Sequence, residues 1–255
     1  MRAHVAGEGP AVVLLHGQPG SHRDWRRVTK RLARTHRVIA VDRPGYGDAS
    51  LEAPGGFGHN ADDLARLLDE HGIERATVVG HSWGGGAALS FAQRYPHRVA
   101  ALVLVAAAGT TEALTPGDTV LGAPVLGPLL AIGFFRYASR LVRLMPRFTG
   151  SRLSPTHAAE VRESMRRSSR TWRSFVTEQR AMLREAPEVS SHLGDVTAPT
   201  TVVYGDRDRV VPPKVGEGLA KGLPNARVHL IEGAGHLLPI EHPDALAEAI
   251  RSATT

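Results

Sequence analysis

The chain of 255 residues contains no cysteine. Disulfides, thiolate metal sites and a cysteine nucleophile are therefore excluded, and a reducing compartment is permitted. Long apolar runs are also missing. The apolar-rich uncharged stretch Thr119–Phe135 has 17 residues and is interrupted by Pro124 and Pro128. A spanning helix needs about 20 apolar residues, so no membrane span is expected. Met1–Pro10 has no basic-then-apolar run of the secretory kind, which makes the cytoplasm the default expectation. Histidine is plentiful, at 13 residues, yet no H-E-x-x-H or similar ligand spacing appears, so no metal is expected. No basic cluster is interleaved with aromatics, and no nucleic-acid motif is present. The net charge of +6 is read as an arginine-rich solvated surface. Its largest share falls between Glu112 and Asp195, where 12 arginines face 8 acidic residues.

What is present is an ordinary globular composition, with 42% hydrophobic and 22% charged residues, enough for one domain or one domain with a large insertion. Short β-branched apolar runs at Ala11–Leu15, Arg37–Asp42, Ala76–Gly80, Val99–Val105, Thr200–Tyr204 and Arg227–Ile231 read as buried strands. Helical spacing appears at Ser21–Arg34, Asn60–His71, Gly84–Tyr95 and Pro239–Ser252, with Asn60 as a cap for the second. Strands alternating with helices predict an α/β fold, a mostly parallel doubly wound sheet. The alternation breaks between Gly109 and Pro199, where patterns such as Ala158–Arg184 are helical. That break predicts a core of residues 1–109 and 196–255 carrying a helical insertion over 110–195.

The chemistry concentrates in four loops. Gly80-His81-Ser82-Trp83-Gly84 fits G-x-S-x-G between a strand and a helix. A serine lifted on so tight a turn needs small residues two before and two after it, and the following helix aims its positive end at developing negative charge. Ser82 is the expected nucleophile. His16-Gly17-Gln18-Pro19-Gly20 follows the first buried strand and can direct the Gln18 N–H to the same point as the Trp83 N–H. Two such donors would form an oxyanion hole. His16 itself reads as a brace. Asp42-Arg43-Pro44-Gly45-Tyr46-Gly47 reads as a supporting turn, with Asp42 as a minority choice of catalytic acid. Thr200–Pro212 ends in a turn with two acids. Asp208 is preferred as the partner of a catalytic histidine, and Asp206 competes, because only geometry decides. Gly233-Ala234-Gly235-His236 offers an imidazole on a pliant approach, suited to proton transfer near neutrality. The order Ser…Asp…His is that of one serine-hydrolase fold among several.

With HGQPG, DRPGYG, GHSWGG, GDRDRVVP and GAGHLLPIEHP (Gly233–Pro243) in place, the chain resembles the α/β-hydrolase superfamily over nearly its whole length outside the insertion. The resemblance implies Ser82, Asp208 and His236 as a triad, oxyanion donation by Gln18 and Trp83, and a cap formed by the insertion. It also implies a hairpin before Ala11, for which about ten residues leave little room. Haloalkane dehalogenases and epoxide hydrolases of this superfamily carry aspartate where Ser82 stands, which argues against both activities. The Gln18 and Trp83 side chains are like the halide-holding pair of dehalogenases.

The expected reaction is hydrolysis of an ester-like carbonyl through an acyl-enzyme. The same triad could instead serve carbon–carbon bond hydrolysis, amide cleavage or perhydrolysis, because fold does not choose among reactions. Ligand binding without turnover is the third reading. No cofactor is implied. The expected partner is a small-molecule substrate with an apolar part, and a homo-oligomer is allowed. Thr119–Phe135 could line an apolar pocket or simply pack on the core. Arg136, Arg140, Arg143 and Arg147, at helical spacing, read as a solvated face ahead of a site for a substrate carboxylate.

Overall fold

A run of apolar residues can be buried on both sides only inside a sheet covered by helices on both faces. The computed structural model, which describes residues 1–141, 144–156, 158–159 and 171–254, builds such a sheet. Its strands are β1 (Arg2–Ala6), β2 (Ala11–Leu15), β3 (Arg37–Asp42), β4 (Ala76–His81), β5 (Val99–Val105), β6 (Thr200–Gly205) and β7 (Ala226–Ile231). They lie in the order β1-β3-β2-β4-β5-β6-β7. β1 runs antiparallel to β3, with His4 opposite Ala40. The remaining pairs are parallel. The expected hairpin at the amino end is thus a single edge strand.

The period of two along each strand divides the core. Val13, Leu15, Ile39 and Val41 join one cluster, against α2 (Phe57–Glu70), α3 (Trp83–Arg94) and α8 (Pro213–Gly222). Val12, Leu14, Val38 and Ala40 join another, with Trp25, Val28 and Leu32 around α1 (Arg26–Leu32) and Leu246 and Ile250 of α10 (Pro243–Thr254). Each fully buried Leu or Ile contributes roughly 1.5–3 kcal/mol relative to exposure.

Between β5 and β6 lie α4 (Pro116–Gly122), α5 (Leu126–Leu141), α6 (Met145–Thr149) and α7 (Thr171–Ser191), and no strand occurs there among the described residues. No single described helix is long and apolar enough to cross a membrane. By length and composition alone, α4 with the first part of α5 would pass that test, but the pair is bent by 96°.

Three local expectations change. α2 starts at Phe57, capped by Gly56, and Asn60 sits inside it. There its amide donates back to the Gly56 carbonyl at 2.9 Å, a contact open to short polar side chains within a helix. The last helical segment is two helices, α9 (Leu238–Glu241) and α10, with Pro243 opening the second, since proline tolerates only the first turn. The apolar run Thr119–Phe135 turns much of its bulk outward: Leu126, Leu129, Leu130, Ile132 and Phe134 are exposed, while Ala131 is buried. Residues 160–170 of the helical pattern Ala158–Arg184 lie outside the described residues.

Candidate active site

The strand order reverses direction around β2: β3 lies on one side and β4 on the other. Loops leaving β2 and β4 at their carboxyl ends therefore part company, and the crevice between them is the general ligand position of open α/β sheets. Gly17 and Gln18 leave β2 there, and Ser82 leaves β4.

Ser82 has φ 52° and ψ −123°, a left-handed backbone that a non-glycine residue adopts only when its surroundings enforce it. The enforcement is visible. Ser82 N donates to Val105 O at 2.9 Å, and Ser82 O accepts from Gly85 N at 2.8 Å and from Ala108 N at 2.9 Å. Glycine is required on both sides. A Cβ on Gly80 would lie 2.7 Å from Gly85 Cα, and one on Gly84 would lie 2.7 Å from Leu15 O.

The three side chains singled out in the sequence meet. Ser82 Oγ lies 3.0 Å from His236 Nε2, and His236 Nδ1 lies 2.8 Å from Asp208 Oδ2. The other Asp208 oxygen accepts the backbone N–H groups of Val210 at 2.8 Å and Val211 at 2.9 Å, so the carboxylate has one orientation. Asp208 is 4% exposed, whereas Asp206 sits exposed on the turn. Geometry thus separates the two acids. All three groups are buried. Such a relay can take a proton from a hydroxyl, hold an imidazolium and return the proton. Trp83 opens α3, so its N–H has no intrahelical acceptor and faces the crevice end of the helix.

Several residues at the site carried no sequence signal of their role. His81 is buried, and burial followed by the nearby His236 lowers its pKa to about 3. Its Nε2 is 2.9 Å from His236 O, so a neutral imidazole there donates to the loop that carries His236. The same loop is held from the segment between β5 and β6: His236 N donates to Thr149 O at 3.0 Å, and Leu237 N to Ser151 Oγ at 3.0 Å. Glu241 receives Gly235 N at 3.1 Å and Arg152 N at 2.9 Å. The pattern could have been suspected only for Glu241, which lies five residues after His236.

His16 braces as expected. Its Nε2 accepts Arg43 N at 3.1 Å, and burial together with Arg43 lowers its pKa to about 3. Asp42 accepts His22 N at 2.7 Å and Asp48 N at 2.8 Å. Burial opposes its charge, but hydrogen bonds from His22 and these amides hold it below the usual carboxylate range. Asp42 therefore supports a turn, away from the relay. Among the described residues, donor atoms of His4, His22, Asp42 and Asp48 fall within 4.8 Å of one another. The His4 and His22 rings are stacked, 3.4 Å apart at 18°. Imidazole lone pairs lie in the ring plane, so stacked rings do not converge on one ion. The cluster is a hydrogen-bonded brace.

The Gln18 and Trp83 side chains are committed elsewhere than to a halide. Gln18 Nε2 donates to Phe175 O at 2.7 Å, and Trp83 Nε1 to Glu178 O at 3.4 Å. Both acceptors are carbonyls of α7.

Two hollows meet at Ser82 and Gln18. The larger, about 230 Å³, is bounded by Leu121, Phe175, Met182, Val210 and Val211, with Thr115, Asp118 and Gln179 as polar members. The smaller, about 50 Å³, lies by Gly17, His236, Leu237 and Ile240. No lysine or arginine lines either one among the described residues. The side chains of Arg140 and Arg143 lie outside what is described, and Arg136 and Arg147 are exposed. A roomier hollow of about 380 Å³ opens at the amino ends of β4, β5 and β6, by Thr77, Thr200 and Arg227. It is at the wrong end of the strands to serve Ser82.

Residues 10–243 match the family described as alpha/beta hydrolase fold, and the chain belongs to that family. It is a hydrolase by kinship. Among curated relatives, it is 34% identical over 245 residues to the 2-hydroxy-6-oxononadienedioate/2-hydroxy-6-oxononatrienedioate hydrolase of Cupriavidus pinatubonensis, covering 92% of this chain and 83% of that one. Among solved structures, the thermophilic esterase of Thermogutta terrifontis matches with TM-score 0.84 and 26% identity, covering 98% of this chain and 91% of that one. The meta-cleavage product hydrolase of Pseudomonas fluorescens IP01 matches with TM-score 0.77 and 26% identity, over 99% and 94%. The Cupriavidus and Pseudomonas relatives back the carbon–carbon alternative better than the ester reading placed first above.

Proposed function

We propose that the chain is a serine hydrolase that cleaves a carbon–carbon bond beside a ketone in a 2-hydroxy-6-oxodienoate-type substrate. The likeness over nearly the whole length of both chains to the Cupriavidus hydrolase carries the choice of bond. A substrate of that name has a ketone and no ester or amide, so hydrolysis must separate two carbons. The Ser82–His236–Asp208 relay supplies the chemistry.

Ser82 Oγ adds to the ketone carbon, and its proton passes to His236 Nε2. Asp208 holds the ring and balances its charge. The oxyanion is received by the N–H groups of Gln18 and Trp83. The 2-enol has first ketonised, its proton moved to the carbon beside the ketone. The electron pair of the breaking bond then enters the conjugated 2-oxo-enoate fragment, which takes the proton from His236 and leaves as the dienol acid. Water, deprotonated by His236, then releases the acyl group from Ser82 as a carboxylic acid. The helices between β5 and β6 act as the cap, and Phe175, Met182 and Leu121 receive the apolar part of the substrate.

Hydrolysis of a neutral ester is the second reading. The absence of a described cation from the hollows favours it, since a dicarboxylate gains most from an arginine fork. The two readings separate in one assay. The purified protein should turn over 2-hydroxy-6-oxononadienedioate with kcat/KM at least about tenfold above that for p-nitrophenyl butyrate, a gap of about 1.4 kcal/mol in transition-state binding. The opposite ranking replaces the first reading by the second. Ser82→Ala should cost on the order of 10⁶ in kcat for either substrate, and an active variant removes both readings.

A further inference from the structure

One buried guanidinium touches both the loop after β2 and the inserted helix α7. Arg43 and Glu178 are each 0% exposed. Arg43 pairs through Nη1 with Glu178 Oε1, and its Nη2 lies 3.3 Å from Glu178 Oε2. Tyr46 OH donates to that same oxygen at 2.7 Å. On its other side Arg43 grips the backbone: Nε donates to His16 O at 3.0 Å and Nη2 to Gly17 O at 3.1 Å. Its carbon Cζ stands 4.3 Å from the centre of the Trp83 ring.

The grip on Gly17 O has a geometric consequence. In a trans peptide the C=O and the following N–H point in opposite directions within one plane. Gly17 O receives Arg43 Nη2 and also lies 2.7 Å from His16 Nδ1. Those two donors fix the plane of the Gly17–Gln18 peptide and so fix where the Gln18 N–H points. Arg43 also packs on the side chain of Trp83, whose backbone N–H is the second oxyanion donor. A bare guanidinium this deeply buried would be strongly disfavoured without a compensating charge. Glu178 on α7 supplies it.

We infer that Arg43 is the positioning residue of the oxyanion hole, and that Glu178 makes the aim of the Gln18 N–H depend on the seating of α7. This rests on the reading of Gln18 and Trp83 as oxyanion donors. Arg43 touches neither the reacting atoms nor Ser82. It acts through the peptide plane, so its loss weakens transition-state binding while leaving ground-state binding nearly intact.

The test uses the full chain with Glu178→Gln, Arg43→Lys and Tyr46→Phe, p-nitrophenyl acetate as substrate, and a trifluoromethyl ketone that forms a tetrahedral oxyanion on serine. Thermal melts report folding. Outright loss of an oxyanion donor costs roughly 10²–10³ in kcat, and mis-aiming one should cost less. Glu178→Gln and Arg43→Lys are expected to lower kcat about 10–100-fold with KM within about threefold, and the ketone inhibition constant should rise in step with the fall in kcat/KM. Tyr46→Phe removes one hydrogen bond from Glu178 and should give a few-fold effect of the same kind. It keeps the test readable if the charge variants fail to fold. Variants that melt earlier while holding kcat and ketone affinity within twofold overturn the inference and leave the pair a brace. Ser82→Ala separates the two levels. If it abolishes turnover while the Arg43 and Glu178 variants keep full ketone affinity, this inference alone fails. If it stays active, the serine mechanism fails with it.

Discussion

Each residue of the relay is held by contacts that differ in kind, and those contacts rank its neighbours. Asp208 has two backbone amides on one oxygen and His236 on the other. Asp206 stands exposed two positions earlier. Asp208→Asn should lower kcat by about 10⁴, by analogy with loss of the tautomer-fixing acid in a serine protease triad. Asp206→Asn should leave kcat within a few-fold. Steady-state kinetics on one substrate checks both, and equal losses would contradict the assignment. Ser82 and His236 stood out in the sequence because glycine-flanked turns after strands are rare settings for such side chains. Asp208 was preferred over Asp206 and separated from it only by geometry. His81, Thr149, Ser151 and Glu178 did not stand out. Their contribution is hydrogen bonds to segments distant in the chain, one each for His81, Thr149 and Ser151 and three for the Glu178 carboxylate, and no local pattern encodes that.

At the scale of elements, the passage from β4 to α3 carries the largest constraint. The left-handed Ser82 persists because Gly80 and Gly84 let the helix start, β2 and the serine turn pack against one another without side chains between them. Gly84→Ala would press a methyl group against Leu15 O and His16 O. We expect it to destabilise the fold by about 1–3 kcal/mol, as overpacking does, and to lower kcat as the elbow shifts. Denaturant unfolding with parallel kinetics measures both, and an unchanged midpoint would refute the close approach. Strand positions were readable from short β-branched runs, and the boundaries of β2, β3 and β5 match the structure residue for residue. Helix starts were less so. Asn60 looked like a cap by composition, but Gly56 takes that place. The outward turn of Leu126, Leu129 and Leu130 was also hidden, since an apolar stripe does not state which neighbour covers it.

For the whole molecule, acid should be the weak side. His16 and His81 are held neutral, with pKa values lowered to about 3 by burial, while unfolded histidine titrates near 6.5. Between those values the unfolded chain binds more protons, so stability is fully present above about pH 6.5 and is lost as the pH falls toward 3. Asp42, held below its usual range, adds a loss in the same direction below about pH 4. Glu178 runs the other way: burial raises its pKa, so its charged form costs stability as pH rises above its unfolded value. Thermal melts should show Tm falling by on the order of 5 °C or more between pH 7 and pH 5, with His81→Gln flattening the slope. A Tm independent of pH across that range would refute the buried neutral state.

The sequence alone determined the order of strands and helices, the α/β class and the candidate serine and histidine, because periodicity and turn chemistry are written locally. Which acid meets the histidine, where the Gln18 and Trp83 side chains donate, and how a guanidinium after β3 comes to share a carboxylate with α7 were decided by tertiary structure. Those contacts join positions up to 157 residues apart, and such distances close only when the strands set the loops side by side.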